Sequence, residues 1–158
     1  MKFELKQIGI IHSEYTDPSA APIQGVFQPK SCGRVEVFGE YEAGLEGVEG
    51  FSHLILLYWF HRAGPYALKA APFLDADNTM GIFSIRKPQR PNPVGLSVVR
   101  LLSRENNILN ISEVDILDGS PLLDIKPFVP EFDCRDDVRI GWLEGKLHGN
   151  NPGKKETP

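Results

Sequence analysis

The sequence lacks most of what marks a specialised class of protein. No apolar run approaches the roughly 18 residues needed to cross a bilayer. The longest, Leu54 to Phe60, has the length of a buried strand. Met1 to Lys6 alternates charge with apolar residues and has no unbroken signal-peptide core. No membrane association and a cytoplasmic location are therefore expected. Cysteine is scarce: Cys32 and Cys134 lie far apart, without the density of a disulfide framework, and whether they pair is open. The 4 histidines are scattered and show no zinc-ligand spacing, so no metal is expected. Positive charge is not in excess. At a net charge of -4 the whole chain does not look like a nucleic-acid binder, and any RNA contact needs a local basic patch. A dinucleotide fingerprint is also missing, because Gly44, Gly47 and Gly50 are spaced by three and precede a strand.

What is present fits one small domain. The 158 residues are 41% hydrophobic, enough for a sizeable core. Strands are predicted at 3–11, 34–38 (edge-like), 51–60, 81–85, 94–102, 108–117, 122–128 and 138–143. The segment 51–60 is apolar without strict alternation, which predicts burial on both faces. A change of phase between Ile111 and Val114 predicts a bulge. In 122–128, Leu123 and Ile125 are expected to face one way and Asp124 and Lys126 the other. The segment 41–50 reads as a turn or short helical element, and 63–79 as a long irregular excursion. Short strands with turn signals between them predict a mostly β fold, a small antiparallel β-barrel with short helical and irregular excursions. A single domain over 1–145 and a polar, disordered tail over 146–158 complete the expectation.

Three segments are dense in chemistry. Arg86-Lys87-Pro88-Gln89-Arg90-Pro91-Asn92-Pro93 carries three cations within five positions. Its three prolines exclude an interior strand or helix and stiffen the loop. Guanidinium groups held there suit bidentate grip of a carboxylate or phosphate; a solvated connection between strands is the plain alternative. Leu117-Asp118-Gly119-Ser120-Pro121 carries an Asp-Gly turn signal. It is either a tight hairpin or a place where Asp118 and the amides of Gly119 and Ser120 hold a ligand. Phe60-His61-Arg62 ends the most apolar strand, where side chains are positioned by the core yet reach solvent; a strand cap is again the alternative.

Together these segments resemble a known family. The run Gly81-Ile-Phe-Ser-Ile-Arg86-Lys-Pro-Gln-Arg90-Pro-Asn-Pro-Val-Gly-Leu96-Ser97 looks like its signature. So does Asp115-Ile-Leu-Asp118-Gly-Ser-Pro-Leu-Leu-Asp124-Ile-Lys126-Pro-Phe. Gln7-Ile-Gly-Ile-Ile-His-Ser13 and Gly50-Phe-Ser-His-Leu54 fit as well. The chain is similar, over about residues 5 to 130, to the TsaA-like, tRNA-methyltransferase-O type family of β-barrel enzymes that use S-adenosyl-L-methionine. The resemblance implies a homodimer that methylates N6 of N6-threonylcarbamoyladenosine beside the tRNA anticodon, at position 37. It implies cofactor contacts from Ile23, Gln24, His61, Arg62, Arg86, Leu96 and the turn Asp118, Gly119, Ser120 and Pro121. Lys87 and Arg90 would be left free for tRNA. Asp118, Asp124 and His61 are the candidate proton acceptors. The early family motif usually reads Pro-Arg-Gln, whereas Pro22-Ile23-Gln24 lacks that cation. Two other readings stay open: methyl transfer to another RNA or a small molecule, and a non-catalytic module that binds S-adenosylmethionine.

Overall fold

The computed structural model describes residues 4–147. Among the described residues eight strands form: β1 (Gly9–Ser13), β2 (Cys32–Val37), β3 (His53–Trp59), β4 (Lys69–Ala70), β5 (Met80–Gly81), β6 (Val94–Glu105), β7 (Ile108–Ser112) and β8 (Ser120–Pro127). Six of them close into an antiparallel barrel in the order β1-β2-β7-β6-β3-β8, with β8 pairing back to β1. β4 and β5 make a separate two-stranded ribbon. The mostly β expectation therefore holds, and closure removes the sheet edges that would otherwise need protection. No described helix is long and apolar enough to cross a membrane.

Alternation builds the core. In β3, Leu54, Leu56 and Tyr58 are buried while their neighbours are half-buried, so this strand is not sealed on both faces as expected. Ile11, Val35, Val99, Leu109, Ile111 and Leu122 join them with no exposed surface. Burying such a side chain is worth about 1.5–3 kcal/mol, which fixes each strand's register because a one-residue slip would turn the apolar set outward. β2 is not an edge; it lies between β1 and β7.

Other expectations shift. Residues 81–85 are mostly a single 3-10 turn at Ile82–Ser84, because Ile82 and Ile85, three apart, are the buried pair and that spacing is helical. Val138 to Leu143 is no strand; its described structure is a 3-10 turn at Gly141–Leu143, with Gly141 at φ 58. A one-turn helix, α1 (Pro130–Asp133), has proline at its start. The phase change near residue 112 comes from the end of β7 and from Glu113 in the left-handed region at φ 63. The bulges lie instead at Leu57/Tyr58, where β3 meets β8, and at Leu101/Ser103 in β6. The first of these puts Leu122 and Ile125 on the core side of β8, in place of Leu123 and Ile125. Residues up to Phe128 make one compact unit, and Val129 begins a second, smaller one. The predicted polar tail lies almost wholly outside the described residues.

Candidate functional site

The connection from β7 to β8 organises the site. It runs from Glu113 to Gly119 across one end of the barrel, and it presents two aspartates three residues apart to two different groups of side chains.

The first group gathers on Asp115. Its Oδ2 accepts the Gly25 amide at 3.0 Å, and its Oδ1 accepts the Ser97 hydroxyl at 2.5 Å. Ser97 belongs to the inward row of β6 and lies 3.2 Å from the buried Tyr58 hydroxyl. Gly25 starts a 3-10 turn, Gly25–Phe27, pressed onto the connection. A Cβ at Gly25 would stand 1.8 Å from the Glu113 carbonyl oxygen, so only glycine fits. Ser31 fastens the other end of this loop to the Val114 carbonyl at 2.8 Å. The Gln24 side chain accepts from Arg86 at 3.1 Å. Gln24, Gly25, Val26, Arg86, Leu96 and Val98 surround, with Asp115, a cavity of about 210 Å³. Leu96 and Val98 lie on the outward row of β6, so the cavity sits on the outer wall of the barrel. Burial pushes the Asp115 carboxyl up, a rise opposed by its hydrogen bonds and the Arg86 charge. Ile23 flanks Gln24 and is 49% exposed.

The second group gathers on Asp118. Its Oδ1 accepts the Ser13 amide at 3.1 Å and lies 3.7 Å from His12 Nδ1. His12 Nε2 in turn meets Glu36 at 3.3 Å. Ser13 donates its hydroxyl to the Ile116 carbonyl at 2.6 Å. The Ser120 hydroxyl donates to the Leu117 carbonyl at 2.7 Å and lies 3.4 Å from His61 Nδ1. A hydroxyl has one proton. With that proton on Leu117, Ser120 offers His61 Nδ1 a lone pair and no proton. Arg62 donates to the Thr16 carbonyl at 2.7 Å.

The structure thus divides the predicted residues. Gln24, Arg86 and Leu96 come together with Ile23 at their rim, whereas His61, Asp118, Gly119, Ser120 and Pro121 come together elsewhere, with Arg62 beside His61. Three expectations change. The amides of Gly119 and Ser120 are not free for a ligand, since they donate to the carbonyls of Ile11 at 2.9 Å and Leu117 at 3.2 Å. The approach of β1 uses the first, and the turn itself uses the second. Asp124 stands apart: it pairs with Lys126 at 2.7 Å and accepts its neighbour's amide. Four residues of strand, about 13 Å, separate it from Ser120. Arg90 is not free either. It donates to the carbonyls of Ile85 at 2.9 Å and Lys87 at 3.3 Å, because the prolines of this loop leave carbonyls without ladder partners. Lys87 is exposed. Asp115 was missed. Its one signal is its place at the head of the second motif, and nothing in the neighbouring residues announces a carboxylate that reaches Gly25. Cys32 and Cys134 are exposed free thiols.

Comparison with known proteins agrees with the motif-level resemblance. Residues 10–134 match the family model of the tRNA-methyltransferase O N-terminal domain. The chain is 54% identical over 143 residues to a Pyrococcus abyssi protein named "Probable S-adenosyl-L-methionine-binding protein", covering 90% of this chain and 77% of that one. It is 34% identical over 151 residues to the tRNA (adenine(37)-N6)-methyltransferase of Escherichia coli, covering 90% and 64%. A crystal structure of TrmO from Pseudomonas aeruginosa superimposes with a TM-score of 0.77 at 38% identity, over 89% of this chain and 62% of that chain. The chain therefore spans less than two thirds of the last two proteins. The barrel, the two motif clusters and the match over residues 10–134 make this chain a member of the tRNA-methyltransferase O N-terminal domain family.

Proposed function

We propose that the protein is an S-adenosylmethionine-dependent methyltransferase that acts on N6 of N6-threonylcarbamoyladenosine at position 37 of tRNA. The observation that carries this reading is the family match over residues 10–134. The similarity to a methyltransferase named for adenine 37 of tRNA supports it. When bound, S-adenosylmethionine supplies an electrophilic methyl group on a sulfonium. Gln24, Arg86 and Leu96 hold part of the cofactor, with Ile23 at the edge. Their chemistry fits: an apolar wall from Leu96 and Val98 suits a flat base, and Gln24 and Arg86 offer polar and charged partners.

The cavity of about 210 Å³ is smaller than the roughly 300–1,000 Å³ of ordinary ligand sites. The His61, Arg62 and Asp118–Pro121 group supplies the remaining contacts, either in the same protomer or from a second copy. A homodimer is favoured by exposed apolar groups around the cavity, with Val26 69%, Ile23 49% and Leu96 46% exposed. The tRNA substrate is reached in the cytoplasm.

The N6 lone pair of adenosine is delocalised into the ring, so proton removal helps as bonding develops. His61 is the first candidate for that task, and Asp118 is the second. In-line positioning supplies the rest. The test is methyl transfer from labelled S-adenosylmethionine into tRNA that lacks only this methyl group. Incorporation at position 37, lost in His61→Ala, supports the reading; no incorporation by a protein that binds the cofactor leaves a binding module. Sedimentation at micromolar concentration is expected to give a species of twice 17.6 kDa; a monomer alone would count against the dimer.

A further inference from the structure

Asp115 heads the second motif, yet the methyl-transfer reading gives it no task of its own. Its surroundings point to one. The carboxylate bridges the barrel interior and the wall of the proposed cofactor cavity. On the interior side its anchor is rigid. Ser97 is fixed in β6 and meets Tyr58, whose ring lies so close to Gly95 that a Cβ there would stand 2.3 Å from it. On the cavity side Asp115 holds the Gly25 amide, the first N–H of a short turn and one that the turn itself cannot satisfy. That turn fixes the backbone of Gln24, extended at φ -149 and ψ 139. Gln24 in turn accepts from Arg86. Pressed against the same turn is Glu113, in the left-handed region and held by Arg100 at 3.1 Å. The turn is therefore clamped from beneath by two successive points of one connection.

We infer that Asp115 is a positioning residue: anchored by Ser97, it holds the Gly25 turn and thereby sets Gln24 and Arg86 for the ligand. The inference rests on the reading of this cavity as a cofactor site. Asp115 acts through the turn, and its charge is not what the ligand recognises.

Amide hydrogen exchange at Gly25, followed by NMR, reports the turn without any ligand. Calorimetric titration with S-adenosylhomocysteine and steady-state methylation report the site. Asp115→Ala removes the acceptor and should speed Gly25 exchange at least about tenfold, the equivalent of one charge-assisted hydrogen bond. It should weaken S-adenosylhomocysteine binding and raise KM for S-adenosylmethionine, with kcat within about threefold of wild type. Asp115→Asn keeps one acceptor for Gly25 and offers Ser97 an N–H, so it should rescue both exchange and affinity. Ser97→Ala frees the anchor and should speed Gly25 exchange with Asp115 still in place. If Asp115→Ala does not fold, the Asn and Ser97 variants decide alone. Unchanged Gly25 exchange in the Ser97 and Ala variants overturns the inference. So does an Asn variant that loses affinity while Gly25 stays protected, which would make Asp115 a direct ligand contact. Failure of the wild type to bind S-adenosylhomocysteine would sink the cofactor reading, and the exchange comparison would still decide whether Asp115 sets the turn.

Discussion

The two aspartates of one connection do different work. Asp115 is tied to a buried hydroxyl and to the first amide of a pressed-down turn. Asp118 is 41% exposed, faces a histidine that is itself partly open, and braces the end of β1. One half of the site is therefore held by tight packing and the other by polar contacts that water can reach. Interiors transmit small displacements and wet surfaces absorb them. The Asp115 half should tolerate change poorly, and the Asp118 half should tolerate it well.

The largest test compares one glycine from each half. Gly25→Ala puts a methyl group 1.8 Å from the Glu113 carbonyl oxygen, so the whole turn must lift. We expect a loss of about 3 kcal/mol, the upper range for overpacking. Gly119 sits at φ 75 with open space around it. Its alanine variant meets only backbone strain and should lose about 1–2 kcal/mol. Urea unfolding of both gives the answer, and equal losses would break the contrast.

The next effect is on ligand affinity. Arg86→Ala should weaken S-adenosylmethionine by about 1.5–3 kcal/mol, the range for a lost hydrogen bond from a charged group. Gln24→Ala in the same background should add little, because the pair acts as a unit. Calorimetry on the single and double variants decides; full additivity would separate Gln24 from Arg86.

How much of this was legible beforehand follows from what each residue needs. An apolar run of strand length reads as a buried strand, so β3 stood out although its alternation was not legible. Periodicity fails where the backbone changes phase, as at the β8 bulge, because Leu122-Leu123 is apolar on both sides of it. It fails at Ile82 and Ile85 too, where a short apolar run does not declare its period. The site was legible as motifs, not as contacts. His61 and Ser120 lie 59 residues apart, and Gly25 and Asp115 lie 90 apart; only barrel closure joins them. Arg90 looked like a free cation because the sequence does not show which carbonyls a proline-rich loop leaves unpaired.

Acid titration separates the aspartates further. Burial raises the Asp115 carboxyl above its ordinary value of 3.8. Between that value and its raised one, the folded chain binds more protons than the unfolded chain. Its contribution to stability is then full below pH 3.8 and is lost as pH rises through the folded value. Asp115→Asn should remove that decline and leave the rest of the pH profile in place. Urea unfolding at a series of pH values just above 3.8 reads it, and a profile unchanged in the variant would show that Asp115 is as well solvated folded as unfolded.

The smallest effect concerns the two remaining cations of the proline-stiffened loop. Arg90 is turned inward onto the carbonyls of Ile85 and Lys87, whereas Lys87 is exposed. Arg90→Ala strips a brace from the residue that precedes Arg86. It should loosen Arg86 and reduce cofactor affinity by about 1 kcal/mol, as expected for a hydrogen bond that acts at second hand. Lys87→Ala touches no such brace and should leave cofactor affinity unchanged. If its ammonium meets a tRNA phosphate, its loss weakens tRNA binding modestly and reduces the slope of log K against log salt by about 1. Titrations of each variant with S-adenosylmethionine, and with tRNA at several salt concentrations, separate the two. Should Arg90→Ala flatten the salt slope while sparing the cofactor, the guanidinium leaves its carbonyls on RNA binding. The loop would then belong to the adaptable half of the site, with Asp118, and the line between the halves would fall between Arg86 and Arg90.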